Sequence, residues 1–182
     1  MSISKQSRHY FTRVKQSYFS PKLNSVEIDY VIENMKPDLK EMFFAQPMCD
    51  QRHGFLVFDR CKELFDDEDR ISEEDLFLAS LLHDVGKSES FRSVTLRILA
   101  ALFIGFYGRE KSMKFVNSRS IFLQKIYAYA DHSQIGCALL EEYAAADFVI
   151  EATKFHHSSD GAIDKYCQYP DQVKKFIDAD NL

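Results

Sequence analysis

The spacing of the apolar residues constrains this chain most, because they recur with the period of an α-helix along most of its length. Few segments show the alternation of apolar and polar residues that is typical of a half-buried strand. Glycine, proline, serine and aspartate interrupt the periodic stretches where helices would end. The pattern therefore predicts an all-α helical bundle.

The periodic stretches predict nine helices, with ends defined to about 2–4 residues. They cover approximately residues 26–35, 38–45, 48–65, 73–84, 93–107, 118–130, 132–144, 148–156 and 172–182. Side-chain caps are expected at Ser72, Asp131 and Asp171, each of which stands before an amphipathic stretch. We expect residues 46–182 to form one structural unit and residues 1–45 to be a helical extension packed on it.

The net charge of −5 argues against a nucleic-acid polymer as the main partner, because such proteins usually present a net basic face. A small ligand is expected instead. The four cysteines are widely separated and form no CxxC pair, which favours reduced thiols in the cytoplasm. The N-terminus also lacks the apolar core of a signal peptide, so export is not expected.

The most apolar window, residues 96–107, contains Arg97 and is shorter than the about 20 residues that span a bilayer. We therefore expect a buried core helix and no membrane partner. Pairing of its exposed part with a second copy, as a homodimer, is the alternative.

The first 22 residues carry five basic side chains and no acidic one, with Tyr10, Phe11, Val14 and Tyr18 at helical spacing. A membrane-surface helix is one interpretation of this pattern. Since five charges over 22 residues make a weak basic patch, we expect a helix that packs its aromatic side on the bundle.

Histidines supply the strongest functional pattern. Five of the six lie on or at the ends of predicted helices, namely His53, His83, His132, His156 and His157. Each alone is typical of a core histidine with a hydrogen-bond partner, but the set together indicates metal ligands. His83 and Asp84 are about 100° apart around the helix axis and can approach one point at its end. Gly86 is expected to permit the turn that ends this helix.

The last predicted helix carries an aspartate on its apolar stripe. Asp180 shares this stripe with Val173 and Phe176, whereas Asp178 points away from it. A carboxylate that faces a core is costly unless it is paired or bound to a cation. An exposed Asp180 at a frayed chain end is the alternative.

Five inward-facing histidines and two inward-facing aspartates are too many ligands for one tetrahedral zinc ion. Imidazole and carboxylate together suit iron, manganese, nickel, cobalt or zinc. Two such metals about 3.5–4 Å apart can activate a water and hold a phosphate. Lys87 would supply a cation for an anionic substrate, or else interact with the helix dipole.

In their order along the chain, these residues resemble the HD-domain metal-dependent phosphohydrolase superfamily. The resemblance covers about residues 45–182 and depends on His53, HDVGK at 83–87, His132 in HSQIG, the pair His156–His157 and Asp180 in ADNL. It implies an all-α fold around one or two metals, and hydrolysis of phosphomonoesters or phosphodiesters, often of nucleotides. The chain is similar to the binuclear subset that includes the HD-GYP cyclic-dinucleotide phosphodiesterases. It has HHSSDGAIDKY at 156–166 without the GYP motif, so specificity for cyclic di-GMP is not expected.

The resemblance further implies a division of the ligands between two metals. His53, His83, Asp84 and Asp180 would bind one metal, and His132, His156 and His157 the second, with Asp84 bridging. Iron or manganese is expected, with nickel, cobalt, zinc or magnesium as alternatives. A hydroxide between the metals would attack phosphorus while Lys87 neutralises charge in the transition state. Cys49 stands where some members have a third-metal carboxylate, so two metals are implied.

Three alternatives stay open. A diiron oxygenase would use a similar centre in the same superfamily, and a non-catalytic signalling module would bind a metal or nucleotide without turnover. A metal-free bundle would need other partners for seven buried polar side chains.

Arg52, Arg92 and Arg97 are expected to be surface or helix-pairing residues rather than phosphate ligands.

Overall fold

A computed structural model describes residues 21–181, and these residues form helices and no strand. The α-helices, numbered in chain order, are α1 (Ser25–Asn34), α2 (Pro37–Ala45), α3 (Met48–Leu64), α4 (Glu73–Leu82), α5 (Val94–Tyr107), α6 (Arg109–Ser112), α7 (Ile121–Ala130), α8 (His132–Glu142), α9 (Asp147–Phe155), α10 (Asp160–Tyr166) and α11 (Pro170–Asp180). Short 3-10 segments cover Asp67–Asp69, Val85–Glu89 and Met113–Asn117. The predicted all-α fold is confirmed, although α6 and α10 were not predicted.

The main core surrounds α4. Every residue of this helix from Leu76 to Leu82 is buried, because α3 and α9 pack against it. Helix α11 contacts α3 and α9 as well. Val31 of α1 and Phe43 of α2 belong to the same cluster of buried side chains. These helices bring the ends of α4, α9 and α11 close together.

One of the three predicted caps forms as expected. The Ser72 hydroxyl accepts a hydrogen bond from the backbone N–H of Asp75 at the start of α4. Asp131 does not cap α8, since its carboxylate accepts a hydrogen bond from the Tyr127 hydroxyl of α7. Helix α7 leads directly into α8 there, so the carboxylate faces back to the preceding helix. Helix α11 begins at Pro170 without a side-chain cap, and Asp171 lies in its first turn.

The expectation that residues 96–107 form a buried core helix is wrong. The segment is helical, but Arg97 and Ala100 are the buried residues of α5. Ala100 packs in a small second cluster with Phe91 and Ile126. The high apolar content of the segment predicted a buried helix. The neighbouring helices cover only one side of α5, so its other side is exposed.

Within the described residues, no single helix is long and apolar enough to cross a membrane. The segments Glu73–Glu89 and Val94–Tyr107 would together be long and apolar enough, but the chain bends by 84° between them. The predicted N-terminal helix with Tyr10 and Tyr18 lies largely in residues 1–20, outside the described part of the chain.

Candidate metal centre

The predicted ligands come from the ends of four helices and from the first half of α3. His53 lies in α3, His83 directly follows α4, and His132 is the first residue of α8. His156 directly follows α9, and Asp180 is the last residue of α11. The site is therefore assembled where separate helices end against one another.

The first group of side chains contains His53, His83 and Asp180. Their nearest ligand atoms all lie within 4.8 Å of one another, and all three residues are buried. His53 Nε2 lies 2.8 Å from Asp180 Oδ1, and His83 Nε2 lies 3.4 Å from the same oxygen. The predicted contrast on α11 is confirmed, since Asp180 is buried and Asp178 is exposed.

The second group contains His132, His156 and His157, again with ligand atoms within 4.8 Å of one another. His132 Nε2 lies 3.3 Å from His156 Nε2 and 3.1 Å from His157 Nε2. Nitrogens bound to one cation at about 2.1 Å lie about 3.0–3.4 Å apart. His132 and His156 are buried and His157 is exposed, so the second group is the one that solvent reaches.

Asp84 lies between the two groups. Its Oδ1 is 3.4 Å from His132 Nε2 and 3.6 Å from His156 Nε2. Its Oδ2 is 3.5 Å from His83 Nε2. Each carboxylate oxygen thus faces a different group, which is the placement that a bridging ligand needs.

Backbone carbonyls orient three of the imidazoles. The Nδ1–H groups of His83, His132 and His156 donate to the carbonyl oxygens of Ser80, Tyr129 and Thr153, at 2.9, 2.8 and 2.7 Å. Each acceptor stands three residues before its histidine, in the last turn of a helix, where carbonyls lack a helical partner. A carbonyl oxygen can only accept, so Nδ1 carries the proton and Nε2 faces the centre. Such outer hydrogen bonds commonly orient metal-binding histidines.

His83 supplies a direct test of whether a cation fits. Its Nε2 is buried and makes no hydrogen bond within residues 21–181, although two carboxylates lie near it. Burial lowers the pKa of His83, but Asp84 and Asp180 outweigh it and raise the pKa above its ordinary value. The position therefore favours positive charge, carried by a proton or by a metal ion.

Neighbouring charges prevail in setting the pKa of Asp84, whereas burial prevails in setting the pKa of His132. Burial would raise the pKa of Asp84, but Lys87 and His83 lower it well below its ordinary value, so the carboxylate is ionised. Burial lowers the pKa of His132 to about 4, against an opposing effect of Asp84. Loss of solvation and the neighbouring imidazoles also lower the pKa of His157, although much of this residue is exposed. A neutral His132 presents its Nε2 lone pair to a cation.

Lys87 lies beside Asp84, and its role toward a substrate stays a prediction. Its ammonium group donates a hydrogen bond to Asp84 Oδ2. Arg52 instead binds the Glu27 carboxylate and the Lys22 carbonyl. Arg97 pairs with Asp50, which confirms that both arginines join segments of the fold. The last candidate, Arg92, is exposed.

Gly86 matters for a reason that the sequence did not reveal. Its φ is not left-handed, so the predicted role in a helix-ending turn is wrong. A Cβ atom at Gly86 would lie 2.0 Å from the His132 carbonyl oxygen and 2.6 Å from the Gly136 nitrogen. The missing side chains of Gly86 and Gly136 let the segment that follows Asp84 touch α8. This contact brings Asp84 to His132.

No protein-family model, curated protein or solved structure matches this chain. The HD-domain resemblance and the metal-binding roles of the residues therefore stay predictions, whereas their convergence is a property of the structure.

Proposed function

We propose that the protein is a phosphohydrolase of the HD-domain type that holds two divalent cations, with iron or manganese expected. One observation supports this proposal above all: two groups of ligand atoms flank opposite oxygens of Asp84. His53, His83 and Asp180 would hold one cation, and His132, His156 and His157 the other, with Asp84 shared. The first group offers two imidazoles and one carboxylate, and the second offers three imidazoles. Both sets suit first-row divalent metals.

The arrangement of lone pairs supports a cation in the second group. His132 and His156 both donate their Nδ1–H groups to backbone carbonyls, so neutral rings would place two Nε2 lone pairs 3.3 Å apart. A cation between them removes this repulsion and satisfies both nitrogens. When bound, the two cations would activate a water and neutralise the charge of a phosphate.

The side chains around the centre indicate how a substrate enters. His157 is exposed and Lys87 is half-buried, whereas the members of the first group are buried. A phosphate would therefore approach from the side of His157 and Lys87. Lys87 holds Asp84 ionised in the free protein and would attract the phosphate oxygens, since a partly desolvated ammonium stabilises developing negative charge. The proposed substrate is a small phosphomonoester or phosphodiester, with nucleotides expected.

The cysteines suit the compartment that the sequence predicts. Cys49, Cys61, Cys137 and Cys167 are all free thiols. Burial raises the pKa of Cys49 to about 11, so its thiol stays protonated and makes a poor third-metal ligand. The proposal therefore places the protein in a reducing compartment, the cytoplasm. It also keeps two metals rather than three.

Metal analysis combined with a panel of nucleotides, cyclic dinucleotides and model phosphoesters tests this function. We expect about two metal ions per chain and release of phosphate or of a monoester. The Asp84→Asn variant should lose both properties, because the shared carboxylate becomes a neutral amide. Asp178→Asn, on the exposed side of α11, should retain both.

Three outcomes would contradict the proposal. Equal effects of the two substitutions would show that Asp84 does not hold the metals. Iron-dependent oxygen consumption with no phosphoester cleavage would favour the oxygenase instead. Loading with metal but no turnover of any kind would favour a binding module.

A further inference from the structure

Helix α5 presents six large apolar side chains to solvent. Its exposed apolar side chains are Leu96, Leu99, Leu102, Phe103, Phe106 and Tyr107, which we call the α5 face. Phe106 alone is 97% exposed. At 100° per residue these positions cover about 140° of the helix circumference. A continuous apolar patch of this kind usually marks an interaction surface.

The opposite side of α5 is anchored to the bundle. Arg97 is buried, pairs with Asp50 of α3 and donates hydrogen bonds to the carbonyls of Phe91 and Lys87. Ala100 packs against Phe91 and Ile126. These contacts hold the helix in one orientation, so the α5 face is directed outward by the fold itself.

Segments beside α5 extend the apolar surface. Phe103 and Tyr107 both contact the Phe115 ring, at centroid distances of 6.2 and 5.7 Å. Val116, Ile121 and Phe122 are exposed in the segments that follow. The surface therefore includes α5 and the beginning of α7.

The segments that form this surface are rich in basic side chains. Residues 91–130 contain seven basic residues and one acidic residue, whereas the whole chain has a net charge of −5. Five of the basic residues are exposed, namely Arg92, Arg109, Lys111, Lys114 and Arg119. The Lys111 ammonium lies 5.6 Å from the centroid of the Tyr107 ring, so positive charge directly adjoins the α5 face. The surface is thus both apolar and cationic.

The charge selects among the partners that such a surface would accept. A second copy docked through the same face would bring two basic segments together, which is unfavourable. The chain's own first 22 residues are also basic and lack acidic residues, so they are poorly matched as well. An anionic lipid surface matches both properties, because acyl chains accept the apolar side chains and headgroups attract lysine and arginine.

We infer that the α5 face docks the protein on the surface of an anionic membrane, with Leu102, Phe103 and Phe106 entering the boundary of the acyl chains. The protein does not span the bilayer in this arrangement, since α5 lies along the interface. The earlier expectation of no membrane partner depended on the short length of residues 96–107 and on Arg97, which argue against a spanning helix but not against contact with a membrane surface.

Vesicle flotation with the full-length protein tests this inference. We expect binding to phosphatidylcholine vesicles that contain phosphatidylserine, weakening with added salt, and little binding to phosphatidylcholine alone. Phe106→Glu should reduce binding at least about tenfold, because it removes an inserting ring and adds a negative charge. Lys111→Glu should reduce it at least about fivefold, since each basic residue near an anionic surface contributes about that factor.

Val26→Glu is the matched control, because Val26 is 74% exposed on α1 and lies outside this surface. It should leave binding unchanged, and circular dichroism and the thermal midpoint should show that all three variants fold. Unchanged binding of Phe106→Glu would assign the membrane contact elsewhere and overturn the inference. An absence of binding to anionic vesicles would also overturn the inference. Self-association of the protein that Phe106→Glu abolishes would overturn it too, because the α5 face would then bind a second copy. These results do not depend on the metals, so they are separable from the proposed hydrolase activity.

Discussion

At the scale of single residues, the centre depends on which imidazole nitrogen points inward. A histidine at a helix end finds a free carbonyl three residues earlier, as His83 and His156 do. That hydrogen bond uses Nδ1 and leaves Nε2 for the centre. The signal was present in the sequence, because both histidines stand at the ends of predicted helices, but the carbonyl partners were not identified from it.

Burial of a neutral His132 makes the stability of the metal-free protein depend on pH. The folded-state pKa of His132 is about 4 against an ordinary value of 6.5, so the unfolded chain binds more protons between these values. The stabilising contribution is complete above about pH 6.5 and decreases as the pH falls toward 4, by about 1.4 kcal/mol per pH unit. His157 acts in the same direction. The raised pKa of His83 has the opposite effect and acts near and above pH 6.5, where the unfolded chain loses this proton before the folded protein does.

Urea unfolding of chelator-treated protein between pH 7 and 4.5 measures this dependence. His132→Asn should reduce the slope of the unfolding free energy against pH by about the contribution of one proton. An identical slope in the variant would show that His132 does not titrate as the structure indicates.

At the scale of elements, the contact between the segment Val85–Glu89 and α8 sets the distance from Asp84 to His132. Gly86→Ala would place a methyl group 2.0 Å from a backbone oxygen, which neither segment can avoid by a side-chain rotation. We expect a loss of about 1–3 kcal/mol in the free energy of unfolding. Metal binding should weaken too, because Asp84 would move away from the second group.

Gly105→Ala is the control for this prediction. Gly105 lies inside α5, and a Cβ atom there would have no neighbour within 4 Å. It should therefore be neutral or stabilise the protein by up to about 1 kcal/mol, since alanine favours helices. Chemical unfolding and metal content compare the two variants, and equal stabilities would argue against the close approach at Gly86.

At the scale of the whole molecule, the proposed ligands come from distant parts of the chain, from His53 to Asp180. The unfolded chain cannot present such a site, so metal binding would stabilise the folded state alone. At a free metal concentration of about 100 times Kd, the gain for one site is about 2.7 kcal/mol. Chelation should therefore lower the thermal midpoint of the protein, and added manganese or iron should restore it.

Differential scanning fluorimetry with and without chelator makes this measurement. Asp180→Asn should lower the midpoint and reduce its response to metal, whereas Asp178→Asn should behave as the unaltered protein. A midpoint that is insensitive to chelator in metal-loaded protein would contradict the proposed centre.

The sequence by itself determined the all-α class, most helix positions and the inward direction of individual proposed ligands. The contrast between Asp180 and Asp178 follows from the helical period, which is a local property of the chain. The helical period predicts which side of a helix is apolar. It correctly predicted that His53 and Asp180 lie on buried sides of their helices.

Only the tertiary structure decided what covers each side and how closely helices approach. The exposure of α5, the turn of Asp131 toward Tyr127 and the contact at Gly86 all depend on neighbours that are distant in sequence. The placement of two ligand groups around Asp84 has the same origin. Distances between helices result from the packing of the entire chain, and the period of a single helix contains no information about them.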